Sequence, residues 1–373
     1  MIARILVACR HPGGANALVP VVRGLIAPGI EVVVIGHGFS GPVFDKAGIY
    51  YKTIEDFGLS DISVSSARWL LGIILPDLVL VGTAPTSKEP MVSDVIDQTL
   101  IVAARELGIK SLAVLDYWTR YSERFSNLQS GENLIYLPDY IAIMDKIAER
   151  EMLAEGFLKE KLVITGNPYF DSLPVKAKGF TESRKQEIRK QIGLSCQTLF
   201  YFGGSVFSME KPVMGYWDLD IIELIARVIP NFPGLGVAVR LHPRMPSGDK
   251  KQIEEAIAGS GAKIKLIENI SSEDLTLAAD LTIVSYSTLG MEAVYMRKPC
   301  VSFQPGLAKE DMGFASRSRI IPVSFTAEGC EDLLRQCLFQ GYREQLLEDS
   351  ADFATDGKAT ERVISLALSI VHE

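Results

Sequence analysis

The run LTIV, residues 281–284, is strand-like and apolar, and it passes straight into Ser285, Tyr286, Ser287 and Thr288. Glu292 follows one turn into what reads as a helix. Hydroxyls and a carboxylate at the end of a buried strand mark a place where something polar can dock. Free backbone N–H groups point out of a helix start, and with the hydroxyls of Ser287 and Thr288 they suit a phosphate. Glu292 could then accept from ligand hydroxyls. The same spacing also reads as a simple cap by Ser287 or Thr288, with Glu292 favouring the helix dipole. Both readings stand at this level.

Four other stretches carry chemistry. RLHPR, residues 240–244, ends a strand in His242, locked by a proline and flanked by Arg240 and Arg244. Cations at a loop end suit phosphate or carboxylate, and His242 could donate to a phosphate oxygen. RHPGGAN, residues 10–16, sets His11 before Gly13 and Gly14, and the glycines let backbone approach a ligand closely. His11 is a candidate general base. YFGGSVFS, residues 201–208, is its counterpart, with Gly203, Gly204 and Ser205. LDYWTRYSERF, residues 115–125, closes a strand with Asp116, a second candidate base. Its aromatics Trp118, Tyr121 and Phe125 have the spacing of a core face. Asp218 and Asp220 form a DLD that reads as helix capping before a metal site. No zinc spacing, P-loop or GxSxG elbow is present, and neither metal nor cofactor is expected.

The elements that must position these residues follow from the apolar pattern. The 373 residues favour two domains, and 47% hydrophobic content supplies ample core. The net charge of −8 argues against nucleic acid as a partner. Five cysteines, an odd number without CxxC spacing, read as reduced thiols of a cytoplasmic protein. The first apolar run reads as a strand, not a secretory signal. Pro76 and Asp77 split ARWLLGIILPDLVLVG into a helix end and a strand, so no transmembrane segment is expected.

Continuous β-branched runs between helical segments predict parallel strands covered on both faces. Strands are expected near 5–8, 31–35, 77–82, 109–118, 139–145 and 161–167. The rhythm of strand, glycine loop and helix then restarts at 198–208. The prediction is α/β: two doubly wound, Rossmann-like domains facing across a cleft. The first spans 1–170 and the second 171–356, with a hinge near 166–175; helix 357–373 is a candidate to pack back on the first domain. His11, His37, Thr83, Asp116, Gly203–Gly204, His242 and Ser285–Thr288 all fall at predicted strand ends, where such sheets bind ligands.

ITGNPYFDSL, RLHPR and VSYSTLGMEAVYMRKPCVSF together resemble the GT-B superfamily. By motif the sequence is similar to UDP-N-acetylglucosamine 2-epimerases, lipid-A-disaccharide synthases, and CDP-glycerol and sialyl transferases. The resemblance implies a glycosyltransferase of surface polysaccharide or glycolipid assembly, with an epimerase or an inactive nucleotide-sugar binder as alternatives. It implies a nucleotide-sugar donor in the second domain. There His242, Ser287 and Thr288 would meet the phosphates, Glu292 the ribose, and Gly203, Gly204 and Ser205 the pocket wall; Arg244 is a further substrate-binding candidate from its place in RLHPR. The first domain would present a glycan or lipid-linked acceptor beside Gly13 and Gly14, with Asp116 or His11 as base. Oligomeric state stays open, a dimer included. Histidine stands before the glycines where some members have a GGTGGH-like loop, and the acidic pair of the sialyltransferase pattern is not evident.

Overall fold

The computed structural model describes residues 3–26, 29–84 and 96–372. It divides into two compact units, Met1–Ser172 with Thr355–Glu373, and Leu173–Ala354.

The first unit holds six strands: β1 (Ala3–Cys9), β2 (Ile30–Gly36), β3 (Leu78–Val81), β4 (Lys110–Val114), β5 (Tyr140–Ile143) and β6 (Leu162–Ile164). All pair in parallel, in the order β2-β1-β3-β4-β5-β6. Val7 of β1 sits between Val34 and Leu80, so one register ties three strands. Runs such as ILVAC of β1 are apolar throughout because helices cover both faces. Ile5, Val7, Leu78, Leu80, Leu112 and Val114 form the core beneath helix Pro12–Leu25.

The chain returns to this unit at its far end. Val363, Ala367 and Ile370 of helix Ala359–Val371 join the same core. Gly24 permits the approach, because a Cβ there would lie 2.3 Å from Cδ1 of Ile364. Asp171 supplies the cap of the returning helix: its carboxylate accepts from the N–H groups of Ala359 (3.1 Å) and Thr360 (2.7 Å). Two donors that the helix start leaves unpaired are thus satisfied from a distant point in sequence. Arg362 adds a bond from Nε to the Thr165 carbonyl at 2.6 Å.

The second unit repeats the plan with β7 (Thr198–Gly203), β8 (Leu235–Arg240), β9 (Ile264–Leu266), β10 (Leu281–Val284), β11 (Cys300–Phe303) and the two-residue β12 (Val323–Ser324). All are parallel, in the order β12-β11-β10-β7-β8-β9. Phe200, Phe202, Val237, Val239, Ile283 and Val301 fill its core. Trp118, Tyr121 and Phe125 of the first unit are buried to 2% exposure or less, as core residues. All five cysteines are free, four of them buried. Among the described residues no helix is long and apolar enough to cross a membrane.

Both sheets reverse direction. In the first, β2 lies on one side of β1 and β3 on the other; in the second, β8 and β10 flank β7. At such a point the two connections leave toward opposite faces and open a crevice beyond the strand carboxyl ends.

The Asp171 cap generates a test of the returning helix. Asp171→Ala should lower the unfolding free energy by about 1–2 kcal/mol, as cap losses do, while Asp171→Asn loses less. Urea unfolding of both variants measures it; an Ala variant as stable as wild type would show that the cap contributes nothing.

Candidate functional site

In the second unit the reversal falls between β7 and β10, and the hydroxyl-rich stretch lies there. Ser205, just past β7, and Ser285, just past β10, share a hydrogen bond between their Oγ atoms at 2.5 Å. Ser285 is fully buried, and its carbonyl accepts from Ser302 Oγ at 2.5 Å. The loop after β7 is shaped by Asp218. This side chain has no solvent exposure, and Oδ1 accepts from the N–H groups of Ser205 (3.1 Å) and Val206 (3.0 Å). The other oxygen, Oδ2, lies 2.3 Å from where a Cβ on Gly204 would stand, so only glycine fits. Gly203 is likewise pressed by the tip of Leu289. The DLD therefore divides its labour. Asp220 caps its own helix through the Trp217 N–H at 2.9 Å, but Asp218 holds the glycine loop.

Burial pushes the Asp218 carboxyl up to about 7, against the two N–H bonds that favour its charged form. Its Oδ2 is buried without a hydrogen-bond partner.

The next strand, β8, brings His242. Its Nδ1 accepts from the N–H of Arg244 at 3.1 Å, which leaves the ring proton on Nε2. Burial, then Arg244, lowers its pKa and keeps the ring neutral. Phe207, from the loop after β7, packs edge-on against the imidazole with centroids 5.4 Å apart. Gly204 N–H also bonds the Arg240 carbonyl at 2.9 Å, stitching the β7 and β8 loops together. Of the two arginines, Arg240 is committed to structure: Nη1 donates to the carbonyls of Glu268 (2.8 Å) and Ile270 (2.6 Å). Arg244 is exposed. A cavity of about 290 Å³ opens beside His242, between the ends of β8 and β9, with Arg240, Leu241, Lys250 and Glu268 in its wall.

Thr288 occupies the cap position of helix Leu289–Tyr295 but makes no cap bond. Its hydroxyl instead donates to Oε1 of Glu292 at 3.1 Å. Glu292 is 8% exposed, and with no cap bond from Thr288 the reading of Thr288 as a side-chain cap does not hold. Gly203, Gly204, Ser205, His242, Ser285, Ser287, Thr288 and Glu292 all lie at one end of this sheet, beyond β7, β8 and β10.

In the first unit the reversal falls between β1 and β3. Gly14 and Gly82 meet there, a Cβ on Gly14 standing 3.3 Å from the Gly82 Cα. A Cβ on Gly13 would fall 2.0 Å from Oδ2 of Asp116. Asp116 is not an isolated carboxylate: Arg124 Nη1 pairs with its Oδ1 at 2.7 Å, with both side chains largely buried. The same Nη1 donates to the carbonyl and hydroxyl of Thr83 at 2.5 and 3.0 Å. His11 faces Phe39, with ring centroids 6.1 Å apart, and its Nε2 lies 3.5 Å from Arg10 Nη1.

The residue that sequence reasoning missed is Asp97. It is 2% exposed, packed against Gly82, and burial pushes it up to about 7, aided by the charge of Asp116. The backbone N–H groups of Asp97 itself and of Arg10 favour its charged form, but burial outweighs them. A carboxyl that exchanges its proton near neutrality is suited to general acid–base work. In sequence it looks like an ordinary acid in a first helical turn. Only its burial sets it apart. Among the described residues no group of three or more His, Cys, Asp or Glu side chains is arranged to hold a metal.

No family model and no curated protein matches the chain. Solved structures do. The UDP-GlcNAc 2-epimerase of Neisseria meningitidis bound to UDP-GlcNAc superposes with a TM-score of 0.71 at 15% identity, over 98% of this chain and 100% of that one. A glycosyltransferase from Rickettsia africae gives 0.66 at 13% identity, over 99% and 98%. Anabaena Alr3699/HepE, in complex with UDP and glucose, gives 0.63 at 12% identity, over 98% and 99%. The chain has the two-domain GT-B fold that these enzymes share.

Two measurements probe the buried carboxyls. Gly204→Ala should destabilise by about 1–3 kcal/mol, because the added methyl displaces Asp218 or the loop; chemical unfolding reads this directly. Asp97 and Asp218 each keep a proton from about 3.8 up to about 7 in the folded state. Within that window the native state binds more protons than the unfolded chain, so stability falls as pH rises and levels off above about 7. Asp218→Asn retains the Oδ1 acceptor and should flatten part of that slope; an unchanged slope would show that Asp218 ionises normally.

Proposed function

We propose that this chain is a metal-independent GT-B glycosyltransferase of surface polysaccharide or glycolipid assembly. It transfers a sugar from a nucleotide donor to a glycan or lipid-linked acceptor. One observation carries the donor half: the Ser205–Ser285 bridge at the reversal of the second sheet, with neutral His242 on the adjacent strand. Hydroxyls, loop N–H groups and an imidazole Nε2–H gathered at one crevice are donors that match phosphate oxygens. The cavity beside His242 would take the nucleoside, and Glu292 a ribose hydroxyl.

In the reaction a base takes the proton of the acceptor hydroxyl, and that oxygen attacks the anomeric carbon. The bond from this carbon to the phosphate oxygen breaks, and the nucleotide leaves with the electron pair. His242 Nε2–H and the loop donors stabilise the charge that develops on the leaving phosphate. For the base, Asp97 has the proton affinity the task needs near neutral pH; Asp116 and His11 lie at the same sheet end. Five free thiols fit a reducing compartment, and we place the reaction in the cytoplasm.

A second reading is favoured by the structural neighbours named UDP-GlcNAc 2-epimerases. It needs no acceptor, and the same Asp97 carboxyl would then move a proton on the sugar itself. Incubation with UDP-GlcNAc alone, followed by NMR, separates the two. A 2-epimer product makes the chain an epimerase. UDP released only when acceptor is present makes it a transferase. No turnover with either makes it a binder. His242→Ala should weaken UDP binding by roughly tenfold or more in calorimetry, about 1.4 kcal/mol; unchanged affinity would remove His242 from the site.

A further inference from the structure

A second cavity of the same unit lies at the other end of its sheet. Its volume is about 310 Å³, and Thr181, Glu182, Lys185, Leu277, Arg297 and Lys298 are in its wall. Leu277 and Lys298 come shortly before β10 and β11, at the amino ends of these strands, whereas Ser285 lies past a carboxyl end. The chain as a whole carries −8, yet here three cations surround one lining carboxylate, Glu182.

Little in the fold neutralises them. Lys185 Nζ is 3.6 Å from Asp280 Oδ1, but that carboxylate is engaged more closely by Arg189 Nη2, at 2.7 Å. Lys298 Nζ donates to the Leu277 carbonyl at 2.9 Å and has no ion pair among the described residues. Burial, then the charge of Lys185, holds its pKa down to about 8. Arg297 is exposed, with φ of +55°. That left-handed backbone is disfavoured for a residue with a Cβ and free for glycine. The strained position therefore carries an arginine in the cavity wall, where glycine would fold more easily.

We propose that this cavity binds a phosphate dianion between Lys185, Arg297 and Lys298, as the phosphate of a small soluble monoester or of an anionic lipid headgroup. A dianion matches the excess of two positive charges that three cations and Glu182 leave, and it relieves the repulsion between Lys185 and Lys298.

The test uses the full chain with saturating UDP present, so that phosphate does not report on the donor crevice. Glycerol phosphate and inorganic phosphate are titrated by calorimetry and by thermal unfolding. Vesicles of phosphatidylcholine with and without phosphatidic acid are sedimented with the protein. Binding of the soluble phosphates, or sedimentation that requires phosphatidic acid, supports the site, and the arm that responds names the source. Lys298→Met should weaken that response by roughly tenfold. Arg297→Gly, which suits the local backbone, should do the same without lowering the thermal midpoint of the unliganded protein. UDP affinity should be unchanged in both variants. No response in any arm overturns the proposal, and so does a response of equal strength in Arg297→Gly. Should UDP itself fail to bind, the donor reading falls separately and the phosphate arms still report on this cavity.

Discussion

Each sheet of this protein reverses strand order once, and the glycines at the reversal stand where a side chain has no room. The connections after β1 and β3 leave toward opposite faces, and so do those after β7 and β10. At these glycines a Cβ would collide with a neighbouring strand or side chain. Gly14 against Gly82, and Gly204 against Asp218, answer that constraint. The glycines are thus a consequence of sheet topology first. The open crevice they leave, rimmed with hydroxyl and N–H donors, is what a polar ligand can use.

Both crevices are braced by buried carboxyl groups, in different ways. Asp116 is charge-paired with Arg124, a guanidinium that also bonds Thr83, so the ends of β3 and β4 are tied to one cation. A pair buried this far stands only because its remaining hydrogen bonds are met. Asp97 and Asp218 have no cation beside them and hold a proton instead, up to about 7. A neutral carboxyl can brace a loop without placing a charge there. The same protonation makes Asp97 a proton donor or acceptor at physiological pH.

The division of labour between the units follows from these environments. The second unit offers a neutral imidazole, serines joined Oγ to Oγ, and a glycine loop held by the Asp218 carboxyl. The first offers a carboxyl poised to exchange a proton.

The sequence by itself determined the periodicity: apolar β-branched runs alternating with helical segments can only be parallel strands covered on both faces. It also determined which polar residues interrupt those runs, so His242, Ser285, Gly203 and His11 were legible as strand-end residues from local pattern alone. Strand order is not local. Only the tertiary structure decided that β7 and β10 are neighbours, and hence that Ser205 meets Ser285 across 80 positions of chain. Burial is likewise collective. Asp97, Asp116 and Asp218 are the same residue type, and the sequence cannot rank their proton affinities. One is paired with Arg124 and two are enclosed without a cation, a difference made by desolvation and by neighbours that folding brings from elsewhere in the chain.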